Sequence, residues 1–272
     1  MKLRTITASG KLCHDTNIFR DSEVFRHLPK YLQGRFETQQ RQSEPISVHV
    51  GACSQGEDIW SVMITIAKGM DLNLDQFNFI ASDISRDVLA FAKAGLVKLI
   101  DPTIRKVNEE FPDLNFMGFF DQDEKHTHKY RRLLEQSDLK FDTRKKDKHD
   151  KPIYKPASEV AVPLGSVAKI IDGFLERVKF KVVNFYKQQK SSFTKPCLVF
   201  FRHQLRHFKQ AERQRFAASM HRLLEPGSTI IVGSGDQADR DVAYLTHDQD
   251  DHKLFERKFI PETNLGVIFE RN

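Results

Sequence analysis

The stretch ISVHVGACSQGED, residues 46–58, decides the fold. Its first seven residues are mostly apolar with partial alternation, the pattern of a buried strand. CSQGED is a tight turn around Gly56, and IWSVMITIAKGM (59–70) reads as an apolar-rich helix closing near Gly69. The pattern then repeats. FNFIAS (77–82) is a second strand that ends at Asp83. SRDVLAFAKAG (85–95) is a helix with Ser85 at its N-cap and Gly95 past its end. Strand, turn, helix, strand, helix is the opening of a doubly wound, mostly parallel α/β sheet.

Upstream, residues 14–40 place Ile18, Phe19, Val24, Phe25, Leu28, Tyr31 and Leu32 at helical spacing, with Asp21 or Ser22 as the cap. The polar run QRQSEP (40–45) separates this entry segment from the sheet. Downstream, the apolar residues of 97–176 are islands among charges, including Phe119, Phe120, Tyr130, Leu133 and Leu134. Residues 140–156 carry seven Lys or Arg against three Asp, as a solvated loop or hairpin tip does. Strands resume at VKFKVV (178–183), with Asn184 at its end, and at CLVFF (197–201), fully apolar as a central strand should be. KQAERQRFAASMHRLL (209–224) is an amphipathic helix that turns Phe216, Met220, Leu223 and Leu224 inward. Glu225-Pro226-Gly227 stops it, and STIIVGS (228–234) and NLGVIFER (264–271) supply the last strands. The expected division is an entry segment (1–45), a sheet domain in two pieces (46–96 and 177–272) and an inserted basic subdomain (97–176).

Composition narrows the class. Cys13, Cys53 and Cys197 are scattered and odd in number, which argues against a disulfide framework or zinc ribbon and for a reducing compartment. No apolar run resembles a secretion signal or approaches 18 uninterrupted apolar residues, so a cytoplasmic protein that does not span the membrane is expected. With 22 Phe against one Trp, the core is expected to lean on Phe. The net charge of +6 permits an acidic partner; its concentration in the insert keeps nucleic acid as a weaker alternative.

Four places carry candidate chemistry. GACSQGED (51–58), at a strand's carboxyl end, lets a ligand approach the backbone closely, although an ordinary βα turn reads the same way. It is neither the dinucleotide GxGxxG nor a Walker motif. Asp83, 27 residues after Gly56, can accept both hydroxyls of a ribose, or can simply complement the next helix's dipole. Arg20 in TNIFRD (16–21) is a fixed cation suited to a carboxylate, or a surface arginine. Arg202 and His203 follow the CLVFF strand directly. His203 and His207 stand four apart, but without HExxH or an accompanying carboxylate no metal is expected.

In this order the blocks resemble the CheR-type chemotaxis receptor methyltransferases. That family reads TxFFRD, ACSTGEEPYS, ASDI, VNLL, FCRNVxIYF and LLxPGGxLxxGHSE. This chain has TNIFRDSEVF, GACSQGEDIWS, IASDISRDVLAFAKAG, VVNFY, FFRHQLRHF and LLEPGSTIIVGSGD, from about residue 14 to 236 outside the insert. The resemblance implies a Rossmann-like class I methyltransferase fold. It implies S-adenosyl-L-methionine as cofactor, S-adenosyl-L-homocysteine as product, and a carboxylate or other acceptor on a protein or small molecule. By resemblance, Thr16 and Arg20 approach the methionine end and the substrate carboxylate, and Glu57 contacts the cofactor's methionine part. Gly51 opens the turn, Asp83 holds the ribose, and Asn184 and Phe185 flank the adenine. Arg202 and His203 close the site, and Arg20 with His207 serves the acceptor.

The chain also departs from the family. His203 stands for the family's Asn, His207 for its Tyr, Gln55-Gly56-Glu57-Asp58 for Thr-Gly-Glu-Glu and GSGD for GHSE. With at most 13 residues before the first block, the helical N-terminal domain that docks on receptors in the family is not expected in this sequence. Cofactor binding is therefore a firmer expectation than a chemoreceptor substrate. A catalytically inactive cofactor-binding or interaction protein remains the alternative. Nucleic-acid methylation is weaker still, since no NPPY-like motif is present.

Overall fold

The computed structural model describes residues 5–6, 13–14, 17–40, 45–149, 152–184, 195–233, 244–247, 252–258 and 268–271. In chain order its elements begin with β1 (Thr5–Ile6), β2 (Cys13–His14), α1 (Ser22–Gln40), β3 (Ile46–Gly51), α2 (Glu57–Ile64), β4 (Phe77–Asp83) and α3 (Arg86–Lys93). There follow β5 (Leu96–Lys98), α4 (Asp101–Glu110), β6 (Phe120–Asp121), α5 (Lys125–Gln136), β7 (Lys140–Lys146), β8 (Pro152–Pro156), β9 (Val167–Ile170) and α6 (Asp172–Leu175). The last are β10 (Val178–Val182), β11 (Cys197–Phe200), α7 (Gln210–Leu223), β12 (Thr229–Ile231), β13 (Glu256–Lys258) and β14 (Ile268–Glu270). The chain divides into two compact units. One comprises Met1–Arg20, Ser54–Trp60 and Ser85–Glu176; the other comprises Asp21–Cys53, Ser61–Ile84 and Arg177–Asn272.

The second unit holds a seven-stranded sheet in the order β10-β4-β3-β11-β12-β14-β13. The first five strands are parallel, and β14 and β13 join antiparallel. This is the doubly wound, mostly parallel sheet that the strand pattern predicts. Val48, Val50, Leu198, Val199, Phe200, Ile230 and Ile231 are buried, as the strands of a sheet covered on both faces should be. On α7, the Phe216 ring stacks on Phe201 with centroids 4.3 Å apart. The strand order reverses at β3, with β4 and β10 on one side and β11 and β12 on the other. The β3–β11 junction is thus the topological switch point, where open α/β sheets bind ligands at the strands' carboxyl ends. In register, Gly51 lies opposite Ser82 and Val50 opposite Phe200, so those ends align.

The first unit has its own core. Val88, Phe91, Leu96, Tyr130, Leu134, Leu139, Ala157, Val162 and Val167 form one buried cluster. Around it lie two small sheets, β5-β9-β6 and β2-β1-β7-β8. Helix α3 starts as expected, with Ser85 Oγ accepting from Val88 N at 3.5 Å. Gly95 follows its end at φ 68°, where a Cβ would stand 2.9 Å from Ile170 Cγ2. The basic run 140–156 is the β7–β8 hairpin, with Lys140 opposite Pro156.

The helix expected over 14–40 starts only at Ser22. Phe19 and Asp21 take φ values of 53° and 55°, a left-handed backbone that cannot continue a right-handed helix. Ile18 and Phe19 are buried all the same, and the Phe19 ring lies 5.1 Å from that of Phe111. Helix α2 starts at Glu57, two residues before the expected Ile59, and passes into a π-helical turn at Thr65–Gly69. Among the described residues no helix is long and apolar enough to cross a membrane.

Candidate functional site

The second unit's sheet carries its polar side chains at the strands' carboxyl ends. Asp83 is the last residue of β4 and is buried, and its carbonyl accepts from Val183 N at 3.0 Å. Beside it stand two large apolar side chains that a sheet would ordinarily cover. Ile84 is 43 % exposed, and Val182, opposite Asp83 in register, is 50 % exposed. Asn184 follows β10 and is half-buried. Gly51 ends β3 and is buried, and Ala52 after it takes φ 53°. Cys53 N then donates to Ser82 O at 2.9 Å, tying the turn to β4. A left-handed alanine is strained, and such strain gathers where a backbone is shaped for a ligand. In the middle of β3, His49 Nε2 lies 2.8 Å from Ser82 Oγ. Burial, helped by the charge of Lys181, lowers its pKa to about 3, so this histidine is a neutral packing group.

After β11 the chain turns sharply. Arg202 and His203 are both buried, and His203 has φ 59°. His203 Nε2 lies 2.7 Å from Asp21 Oδ2. Arg202 Nη2 lies 3.4 Å from the same oxygen, and its guanidinium sits 4.6 Å over the Phe25 ring. At Gly233, beyond β12, a Cβ would stand 2.6 Å from His203 Nδ1 and Cε1, so only glycine leaves room for that ring. His207 sits on a 3-10 turn, Leu205–His207, and is exposed. His203 and His207 therefore do not share a helix face despite their spacing. Among the described residues, no group of three His, Cys, Asp or Glu is placed to hold a metal.

In the first unit, Glu57 opens α2 and is buried, and Gln55 before it accepts a 2.9 Å hydrogen bond from the Tyr130 hydroxyl. Gly56 has φ 98°, and a Cβ there would stand 2.9 Å from Trp60 Nε1. Burial raises the pKa of Glu57 to about 8; Asp58 adds to the rise, while Glu57's own backbone hydrogen bond and Lys98 oppose it. Burial likewise raises Tyr130 and lowers Lys98. Arg20 is half-buried in the turn before α1, its N–H donating to Asn17 O at 3.2 Å.

Of the expected site residues, the structure gathers Gly51, Asp83, Asn184, Arg202 and His203 at one sheet edge. Arg20 and Glu57 belong to the other unit. Thr16 and Phe185 lie outside the described residues. Sequence reading missed Ile84, Val182 and Gly233 as site neighbours, and Asp21 as the partner of His203. The signal for Ile84 was present, because an apolar residue directly after the acidic strand end has no reason to be covered by the sheet.

Several solved methyltransferases share partial likeness with the chain. The glycopeptide N-methyltransferase MtfA is 13 % identical, with a TM-score of 0.31 over 72 % of this chain and 53 % of its own. The Haemonchus contortus phosphoethanolamine N-methyltransferase 2, solved with phosphomonomethylethanolamine and S-adenosylhomocysteine, is 12 % identical, with a TM-score of 0.30 over 70 % of this chain and 24 % of its own. The S-adenosylmethionine-dependent methyltransferase SibL is 10 % identical, with a TM-score of 0.39 over 84 % of this chain and 51 % of its own. The chain thus spans from a quarter to about half the length of these proteins. No curated protein matches it. Residues 14–133, just under half of the 272, match the family described as CheR methyltransferase, SAM binding domain. Over that stretch the chain is similar to the S-adenosylmethionine-binding domain of the CheR methyltransferases, the family its motifs point to.

Proposed function

We propose that the chain is a cytoplasmic S-adenosylmethionine-dependent methyltransferase of the CheR type, acting on a protein or small-molecule acceptor. One observation carries the reading. Asp83 is a buried carboxylate on the last residue of a parallel strand beside the switch point, with the exposed apolar side chains of Ile84 and Val182 next to it. A carboxylate suits a ribose diol, and an apolar pair suits a flat base. Gly51 leaves room for backbone approach, and Asn184 and Phe185 are assigned to the adenine side. Thr16, Arg20 and Glu57 are assigned to the methionine end, Arg202 and His203 to closing the site, and Arg20 and His207 to the acceptor. S-adenosylmethionine would supply a sulfonium methyl group. The chain's own task is then to position the acceptor and manage charge.

Glu57 gives the reading a pH signature. With its pKa raised to about 8 by burial, it is largely protonated at neutral pH. An ammonium group favours the ionised form, so cofactor affinity should rise with pH up to about 8. The functional test is methyl transfer from methyl-labelled S-adenosylmethionine into a cell extract. The wild type should incorporate label, and Arg20→Ala should lose incorporation. Cofactor binding without any incorporation would mark a binding protein that has lost turnover.

A further inference from the structure

We infer that the corner where β11 passes into α7 is a docking surface for an acidic polypeptide segment. It rests on the methyltransferase reading above, naming the partner that brings the acceptor to that site. The chain's basic excess lies here rather than in the insert. Residues 97–176 hold fifteen Lys or Arg against fifteen Asp or Glu, so the hairpin's charge is offset within its own segment. Residues 177–222 hold twelve Lys or Arg and a single acidic residue, Glu212. That carboxylate is already committed to α7, its Oε2 accepting from Lys209 N at 2.8 Å at the start of the helix.

Helix α7 buries Phe216, Ala217, Ser219, Met220 and Leu223. Ala211, Arg215, Ala218 and Arg222, at helical spacing, stay exposed. Arg215 and Arg222 stand two turns apart, about 10 Å along the axis, and the alanine between them lets a second chain lie close. His207 and Lys209, also exposed, carry the strip into the turn that follows Arg202 and His203. The turn is pinned from below. Leu205 is buried, and the Phe208 ring lies 6.0 Å from Phe201 and 5.9 Å from Phe216. Arg213 Nε donates to Leu205 O at 2.9 Å. A strip held in place this way needs little ordering when a partner binds. Because α7 follows a parallel strand, its first turn stands at the strands' carboxyl edge, where the ligand end of such a sheet lies. An acidic chain drawn onto the strip by complementary charge is thereby led to that edge. Single-stranded nucleic acid would also match the charge, but such surfaces stack its bases on aromatic faces. Among the described residues of this unit, the exposed large apolar side chains are Ile84 and Val182, and Phe208 is spent on Phe201 and Phe216.

Fluorescence anisotropy of labelled poly-L-glutamate with the full chain is the experiment. The wild type should bind, and more weakly as salt rises. Lys209→Glu, Arg215→Glu and Arg222→Glu together should weaken binding at least about tenfold, with the three glutamine substitutions falling between. Lys148→Glu with Lys155→Glu, exposed on the hairpin, should bind poly-L-glutamate like the wild type. All variants should keep the wild-type melting temperature, since every substituted side chain is exposed. No binding by a wild type that binds S-adenosylhomocysteine overturns the inference alone. So does an equal loss in the hairpin variant, or tighter binding of single- or double-stranded DNA through the same three residues. A wild type that binds poly-L-glutamate but not S-adenosylhomocysteine overturns the methyltransferase reading, and with it the segment's role as acceptor.

Discussion

Asp83 and Glu57 are both buried carboxyl groups, 3 % and 4 % exposed, and their surroundings could hardly differ more. Asp83 ends a parallel strand at an open sheet edge, between apolar side chains left uncovered. Glu57 begins a helix in the other unit, near Tyr130 and Lys98, and burial lifts its pKa to about 8. The first carboxyl is placed by the ladder of a sheet. The second is enclosed by side chains that arrive from far along the chain. A strand end places an acidic group at little cost to the fold, whereas enclosure makes it a source of instability.

Emptying the core against Gly56, the residue before Glu57, should have the largest effect. Trp60 is fully buried, and Trp60→Ala should destabilise by about 4 kcal/mol in urea denaturation. Removing the titration should act in the opposite direction. The folded pKa of Glu57, about 8, lies above its ordinary 4.5, so the folded state binds the proton more tightly and wild-type stability falls as pH rises between those values. Glu57→Gln should therefore stabilise by about 3 kcal/mol at pH 7, with no gain below pH 4. Gly56→Ala adds a Cβ at φ 98°, 3.2 Å from Ala92 Cβ, and should cost about 2 kcal/mol. Tyr130→Phe removes only the hydrogen bond to Gln55 and should cost about 1 kcal/mol. If all four variants had equal stability at every pH, the contrast between the two carboxyl groups would be void.

Legibility followed the same contrast. The β3–turn–α2–β4–α3 run could be read because each strand is a short apolar run closed by a turn and α3 carries its own cap at Ser85. The position of Asp83 could be read because it is the last residue of an apolar strand run. The entry helix was read too long, because Ile18 and Phe19 keep helical spacing while the backbone at Phe19 and Asp21 is left-handed. Strand β13 left no signature, since Glu256, Arg257 and Lys258 are all charged, a composition suited to a sheet edge. Nor could the Asp21–His203 pair be found by spacing. The two residues are 182 positions apart, and sheet topology alone brings them together.

The most direct test of the central claim is calorimetric titration of S-adenosylhomocysteine into the wild type and Asp83→Ala. The account predicts micromolar binding by the wild type and at least about a hundredfold weaker binding by the variant, the loss of a charge-assisted contact to a diol. No binding by a folded wild type, or equal binding by both proteins, would contradict it.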